Sequence, residues 1–297
     1  MVKQSKLTQS RLHFLFLAPH LVFFIVFFLI PTGFGIYVSF TNWNMFSAPV
    51  WSGLENYKAI LFDVESTFHR QFLNGFKNTF LFVIMMVPLQ IIVPLLISIA
   101  LFSRPKGERV FQSIFYIPTL FSISATALTW KLILQPGYGL LNNGILHTHI
   151  NWFAEQPNAW ISILIVTTWW VIGGNMLIYI ASLNGIDAEI LEYARLDGVS
   201  GIRRLFSIYL PLIRLPLLFT VVGSITAQFN IYGQPVLLTG GGPTQSTYVL
   251  IMYIRDLAFG TGNSIAGIAS AMAMIMGLCI GILAVLQMRL IMKLSAD

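Results

Sequence analysis

Residues 192–211 read EYARLDGVSGIRRLFSIYLP, a charged and glycine-broken stretch set between two long apolar runs. Asp187 stands where it can cap a short helix from Ala188 to Leu196, with Glu189, Glu192 and Arg195 on its polar side and Ile190, Leu191 and Ala194 on its apolar side. Asp197 and Gly198 end that helix, and Ser200 is placed to cap a second one that passes through Arg203 and Arg204 into the next apolar run. The spacing therefore predicts two helices meeting at a glycine elbow. A helix of about nine residues is marginal alone in water. It needs a surface to pack against, either a partner protein or the headgroup layer on which an amphipathic connector lies.

The flanking sequence places this elbow at a membrane. Of 297 residues, 56% are hydrophobic and 9% charged, and mean hydropathy is +0.78. That composition lacks the polar surface a soluble domain of this size requires. Runs able to cross about 30 Å of hydrocarbon lie near residues 13–40, 78–102, 112–133, 159–183, 207–232 and 264–291. The first lacks a small-residue cleavage pattern and reads as a retained span. The expected fold class is all-α: a polytopic membrane protein with six transmembrane helices in a single transmembrane domain over residues 1–297, and a cytoplasmic loop at 187–211.

Basic residues set the orientation. With the N-terminus inside, Lys3, Lys6, Arg11, Arg104, Lys106, Arg109, Arg195, Arg203, Arg204, Arg214, Arg289 and Lys293 share one side, while Lys58, Arg70, Lys77, Lys131 and Arg255 fall on the other. Both termini are expected to be cytoplasmic. The net charge of +6 is spread among short inner loops rather than gathered into a stripe, so topology accounts for it without nucleic acid. Pro88, Pro94, Pro118, Pro211 and Pro216 predict kinks or breaks within the second, third and fifth runs.

Several chemistries are disfavoured by what the runs lack. No ionisable residue lies near the middle of the last five runs, and His20 sits in the inner half of the first. Proton and ion relays normally use such groups, which argues against an ion-coupled secondary transporter or channel for a small neutral solute. A membrane enzyme would need clustered His, Asp, Glu or Ser at one face, and Glu192 and Asp197 have no nearby His. The cluster Gly240, Gly241 and Gly242 is followed by no Gly-Lys-Ser/Thr and falls on the outer side, so it reads as a loop or gate and not a nucleotide cradle. His147 and His149 lack further ligands for a metal, and Cys279 is the single cysteine.

Glu192, Ala194, Asp197, Gly198, Ile208, Leu210 and Pro211 match the EAA loop of ATP-binding cassette importer permeases, with Tyr193 departing from its second-position Ala. The chain also carries IPTGFGIYVSFTNWN at 30–44, SGLENY at 52–57, KNTFLFV at 77–83, WKLILQPGYGLLNNGIL at 130–146 and LLTGGGPTQSTYVLIMYI at 237–254. In these it resembles carbohydrate-uptake permeases of the maltose and glycerol-3-phosphate type, on the MalF/UgpA-like side rather than the MalG-like one. The resemblance implies a type I importer (MetI-like) fold. It further implies that Glu192, Tyr193, Ala194, Asp197, Gly198 and Arg203 form a coupling helix and turn seated on a nucleotide-binding subunit.

By the same resemblance the partners are a second homologous permease, two ATPase subunits carrying ATP and Mg, an extracytoplasmic solute-binding protein and a carbohydrate substrate. This chain would hold no cofactor or metal of its own, and its only other contact would be membrane lipid. Trp beside Asn and Gln suits a neutral glycan, whose C–H faces pack on rings and whose hydroxyls pair with amides. The residues so arranged are Trp169, Trp170, Gly174 and Asn175 in the fourth run, and Ser224, Gln228, Asn230 and Ile231 in the fifth. Gly174, Ser224, Gln228 and Ile231 fall where maltose-type permeases hold sugar. Gly174 and Ile231 replace larger or polar side chains there, which implies a roomier or different sugar fit. The same amides and tryptophans could instead join helices or anchor at an interface.

Overall fold

A computed structural model of the chain describes residues 16–199, 201–260 and 265–296, with side chains through residue 293. The described residues are mostly helical, and their one sheet is a two-stranded ribbon. Four helices are long and apolar enough to cross a membrane unbroken: α1 (Phe16–Ser39), α3 (Thr67–Phe102), α6 (Asn158–Asn184) and α12, which has that character over Ala266–Lys293. The third and fifth apolar runs are bent pairs instead. Glu108–Leu120 (α4) and Ile123–Leu134 (α5) meet at 106°, and Gly201–Leu212 (α8) and Arg214–Phe229 (α9) meet at 77°.

The bends follow from local sequence. Pro118 lies in a tight 3-10 turn ending α4, Phe121 is extended, and the Ser122 hydroxyl accepts from the Ala125 amide to start α5 afresh. Pro216 has no N–H to give the Leu212 carbonyl, and the backbone leaves helical geometry at Ile213. The runs over 112–133 and 207–232 are thus broken, at Pro118 and just before Pro216. By contrast, Pro88 and Pro94 lie inside α3, which continues for 36 residues. Pro94 cannot donate to the Gln90 carbonyl, and the Asn175 side-chain amide of α6 donates to it instead at 2.9 Å.

Chain contacts sort into two compact units, residues 1–70 with 254–277 and residues 71–253 with 278–297. In the first unit α1 carries a π-helical turn at Ile25–Leu29 and a ladder of rings in which Phe24 stacks on Phe28 at 5.0 Å. Past α1, β1 (Thr41–Asn42) pairs antiparallel with β2 (Val50–Trp51), and α2 (Glu55–Leu61) folds back over them. The Asn56 amide donates to the carbonyls of Ser39 and Thr41, each at 2.9 Å, which fixes the ribbon to the end of α1. The Ala266 amide donates to Trp43 O at 2.9 Å, so the start of α12 belongs to the same cap.

The second unit holds the larger core. Phe82 stacks on Trp160 at 6.1 Å within a cluster that includes Met86, Ile163, Val166, Trp152 and Ile231. Trp152 and Trp160 are each only 8% exposed and belong to this core. Trp152 donates from its indole N–H to the Asn142 side-chain oxygen at 3.0 Å, because a buried indole N–H needs an acceptor. Asn142, itself fully buried, also donates to Ile150 O and so organises the connection between α5 and α6 around a π-helical turn at Leu140–Leu146.

Candidate functional site

The elbow forms as its residues dictate. The Asp187 carboxylate accepts from the Glu189 amide at 3.1 Å and starts α7 (Ala188–Leu196). At the other end the Val199 amide donates to Ala194 O at 2.9 Å, while Gly198 takes a left-handed φ of +68° that a side chain would resist. Arg204 then donates through Nε and Nη2 to Val199 O, at 3.0 and 2.6 Å, and clamps the start of α8. Ser200, expected to cap α8, lies outside the described residues.

Glu192, Tyr193, Asp197, Gly198 and Arg203 are all exposed on this elbow, and Ala194 is buried. The single apolar side expected for α7 is in fact two. Leu191 and Ala194 turn inward, whereas Ile190 joins Tyr193 and Leu196, 42%, 65% and 78% exposed, at three-residue spacing on the outward face. Three apolar side chains held in water by so short a helix are an unpartnered surface.

The residues picked out in the fourth and fifth runs do not form one set. Trp170, Gln228, Asn230 and Ile231 surround a cleft of about 310 Å³, with Gln90 and Gln234 completing its polar wall. The Trp170 indole donates to Phe121 O at 2.9 Å, at the break between α4 and α5, so the bend presents an acceptor to this ring. Gln228 Nε2 donates to Gln90 Oε1 at 2.6 Å, and Asn175 donates to both Gln90 O and Ser224 Oγ, the latter at 3.3 Å. Asn175, Ser224 and Gln90 thereby tie α6, α9 and α3 together beside the cleft.

Trp169 and Gly174 fall elsewhere. Trp169 stacks on Phe121 at 6.4 Å and meets Trp130 edge-on at 5.7 Å, on an apolar groove with Leu164 and Ile165. Gly174 is exposed, with nothing near the place a side chain would take. Gln90 and Gln234 were missed in the sequence. Gln90 carried a signal, an isolated amide between Pro88 and Pro94 in a stretch, residues 80–97, otherwise free of polar side chains.

The glycine segment on the opposite loop is densely bonded. Asn78 donates to Gln245 O and Tyr248 O at 2.9 and 3.0 Å, Asn74 to Gln245 O at 3.1 Å, and the Leu250 amide to the Thr79 hydroxyl at 3.0 Å. Gly75 lets α3 approach closely, since an added methyl would lie 2.8 Å from the Leu250 backbone. Among the described residues no three His, Cys, Asp or Glu side chains converge as metal ligands, and His147 and His149 stand exposed.

Unbroken and bent apolar helices, a charged glycine elbow and an amide-lined cleft between helices define a polytopic transport permease. The chain belongs to the family of binding-protein-dependent transport system inner membrane components, whose model matches residues 59–295. It is 30% identical over 275 residues to the probable ABC transporter permease protein YesP of Bacillus subtilis (strain 168), covering 90% of this chain and 86% of that one. It is 28% identical over 306 residues to the probable starch degradation products transport system permease protein AmyD of Thermoanaerobacterium thermosulfurigenes, across the full length of both. The fold matches the crystal structure of a bacterial ABC transporter involved in the import of the acidic polysaccharide alginate, with a TM-score of 0.80 at 20% identity over 96% of each chain. The chain is therefore a multi-pass inner-membrane transport permease with the all-α ABC importer fold.

Proposed function

We propose that this permease imports a sugar or oligosaccharide as one of two homologous membrane subunits, with ATP and Mg held on two separate ATPase subunits and substrate delivered by an extracytoplasmic binding protein. The outward face of Ile190, Tyr193 and Leu196 is the observation that carries the reading. It supplies an apolar docking ridge flanked by Glu192, and the Asp197–Gly198 turn links it to α8, which leads into the fifth span. Movement of an ATPase subunit against this ridge would be passed to the membrane helices through that short connection. Arg203, exposed on α8, faces water where an ATPase surface would lie. Both chain ends then lie on the ATPase side, as the distribution of basic residues requires.

A carbohydrate cargo is supported by the family's dependence on a binding protein, by the relative named for starch degradation products, and by the chemistry of the cleft. Trp170 offers a ring face while Gln228, Asn230 and Gln234 offer donors and acceptors, a pairing that suits C–H faces and hydroxyls together. Gly174 leaves room on the exposed side of α6. Gln228 already holds Gln90, so sugar would compete for, or be positioned by, a preformed amide pair.

Deletion of residues 192–198 tests the reading. The expected result is loss of labelled-sugar uptake with normal membrane insertion, because the deletion removes Tyr193, Leu196 and the turn but no span. Normal sugar-stimulated ATP hydrolysis in that variant would contradict it.

A further inference from the structure

The inward side of α7 and the end of α3 enclose a second cavity, of about 570 Å³, that neither the docking ridge nor the amide-lined cleft uses. Its walls combine two chemistries. Ile99, Phe102 and Tyr209 supply apolar surface, with Phe102 and Tyr209 meeting edge-on at 5.7 Å. Arg104, Arg195 and Arg204, from three separate segments, also line this space, and Arg204 already gives Nε and Nη2 to Val199 O. Arg255 with Asp256 is the one salt bridge among the described residues, so none of these three guanidiniums faces a carboxylate.

Guanidiniums with no acidic partner among the described residues suit a phosphate group, and Arg104 and Arg195 keep their whole fork of donors for its oxygens. The apolar wall beside them suits a hydrocarbon chain. A protein carboxylate fits less well, because the cavity lies behind α7, on the side opposite the exposed ridge of Ile190, Tyr193 and Leu196. We infer that the cavity holds the headgroup phosphate of an anionic phospholipid, with an acyl chain along Ile99 and Phe102, and that this lipid braces α7 against the end of α3. The inference shares the inward orientation proposed above for this loop, but lipid occupancy is read whether or not that orientation or the sugar cargo is correct.

The test places the full chain, with whatever subunits copurify, in nanodiscs of equal phosphatidylglycerol and phosphatidylcholine, and counts retained lipid by native mass spectrometry. Preferential retention of phosphatidylglycerol is expected. The double variant Arg104→Gln, Arg195→Gln removes two charges that hold no backbone group, and should lower the phosphatidylglycerol binding constant about thirty-fold. Arg109→Gln, outside the cavity, should leave it unchanged, and Arg104→Lys with Arg195→Lys should restore part of the preference. Equal retention of both lipids, or undiminished retention by the double Gln variant, would overturn the proposal. So would displacement of phosphatidylglycerol by inorganic phosphate or by an acidic peptide. Should the double variant fail to insert, the lipid and competitor arms on the unmutated chain decide.

Discussion

Two glycine-broken loops stand in this molecule, and they use glycine for opposite reasons. In the segment 239–250, Gly241 has a φ of +85° and is hemmed in, with an added methyl meeting the Tyr248 ring at 3.0 Å and Met252 at 3.1 Å. Asn74, Asn78 and Thr79 of α3 bond that segment along its length. At the elbow, Gly198 and Gly201 also have positive φ, +68° and +54°, yet nothing stands within 4 Å of an added methyl at either. The first loop needs glycine at 241 because the space there is full, and the second needs it at 198 because the chain turns. The segment read as a loop or gate is a loop bonded to α3 along its length.

The contrast breaks most visibly at Gly241. Gly241→Val adds left-handed strain and overpacking, together about 3 kcal/mol, and should sharply lower the melting temperature of the detergent-purified protein; an unchanged melt would show the loop has room. Asn78→Ala strips donors from Gln245 O and Tyr248 O and should cost about 2 kcal/mol in the same assay. Gly198→Ala meets only backbone strain, about 1 kcal/mol. It should leave insertion and melting near normal while weakening uptake, and a stability loss as large as that of Gly241→Val would erase the distinction. The smallest effect belongs to the amide pair: a double-mutant cycle of Gln90→Leu and Gln228→Leu should give a coupling of about 0.6 kcal/mol, and a zero coupling would mean the pair is not formed.

The two loops also differed in how far the sequence could be read. The elbow is built from contacts within a few residues: the Asp187 cap, the Ala194 carbonyl taken by Val199, and the turn at Gly198. Such features have local signatures, so the helix boundaries there were predictable. Which apolar residues faced outward was not, because Ile190 and Leu191 differ only in what lies opposite them.

The cleft depends on pairings between distant segments. Gln90 and Gln228 are 138 residues apart, and Asn175 finds its acceptor only because Pro94 leaves a carbonyl free. Trp169 and Trp170 are neighbours on one helix, yet one faces an apolar groove and the other the cleft. Apolar runs announced the helices, and Pro118 and Pro216 announced interruptions, but the 106° and 77° bends are set by packing that no single run contains.

The central claim is that the ridge on α7 touches the ATPase, and the chain's single cysteine, Cys279, makes it directly measurable. In a Cys279→Ser background, Tyr193→Cys should be joined by a short bifunctional maleimide to a copurifying ATPase subunit carrying a surface cysteine. Gly240→Cys, in the braced loop, should not be joined to it. A cross-link at position 240, or none at position 193 in an intact complex, would contradict the account.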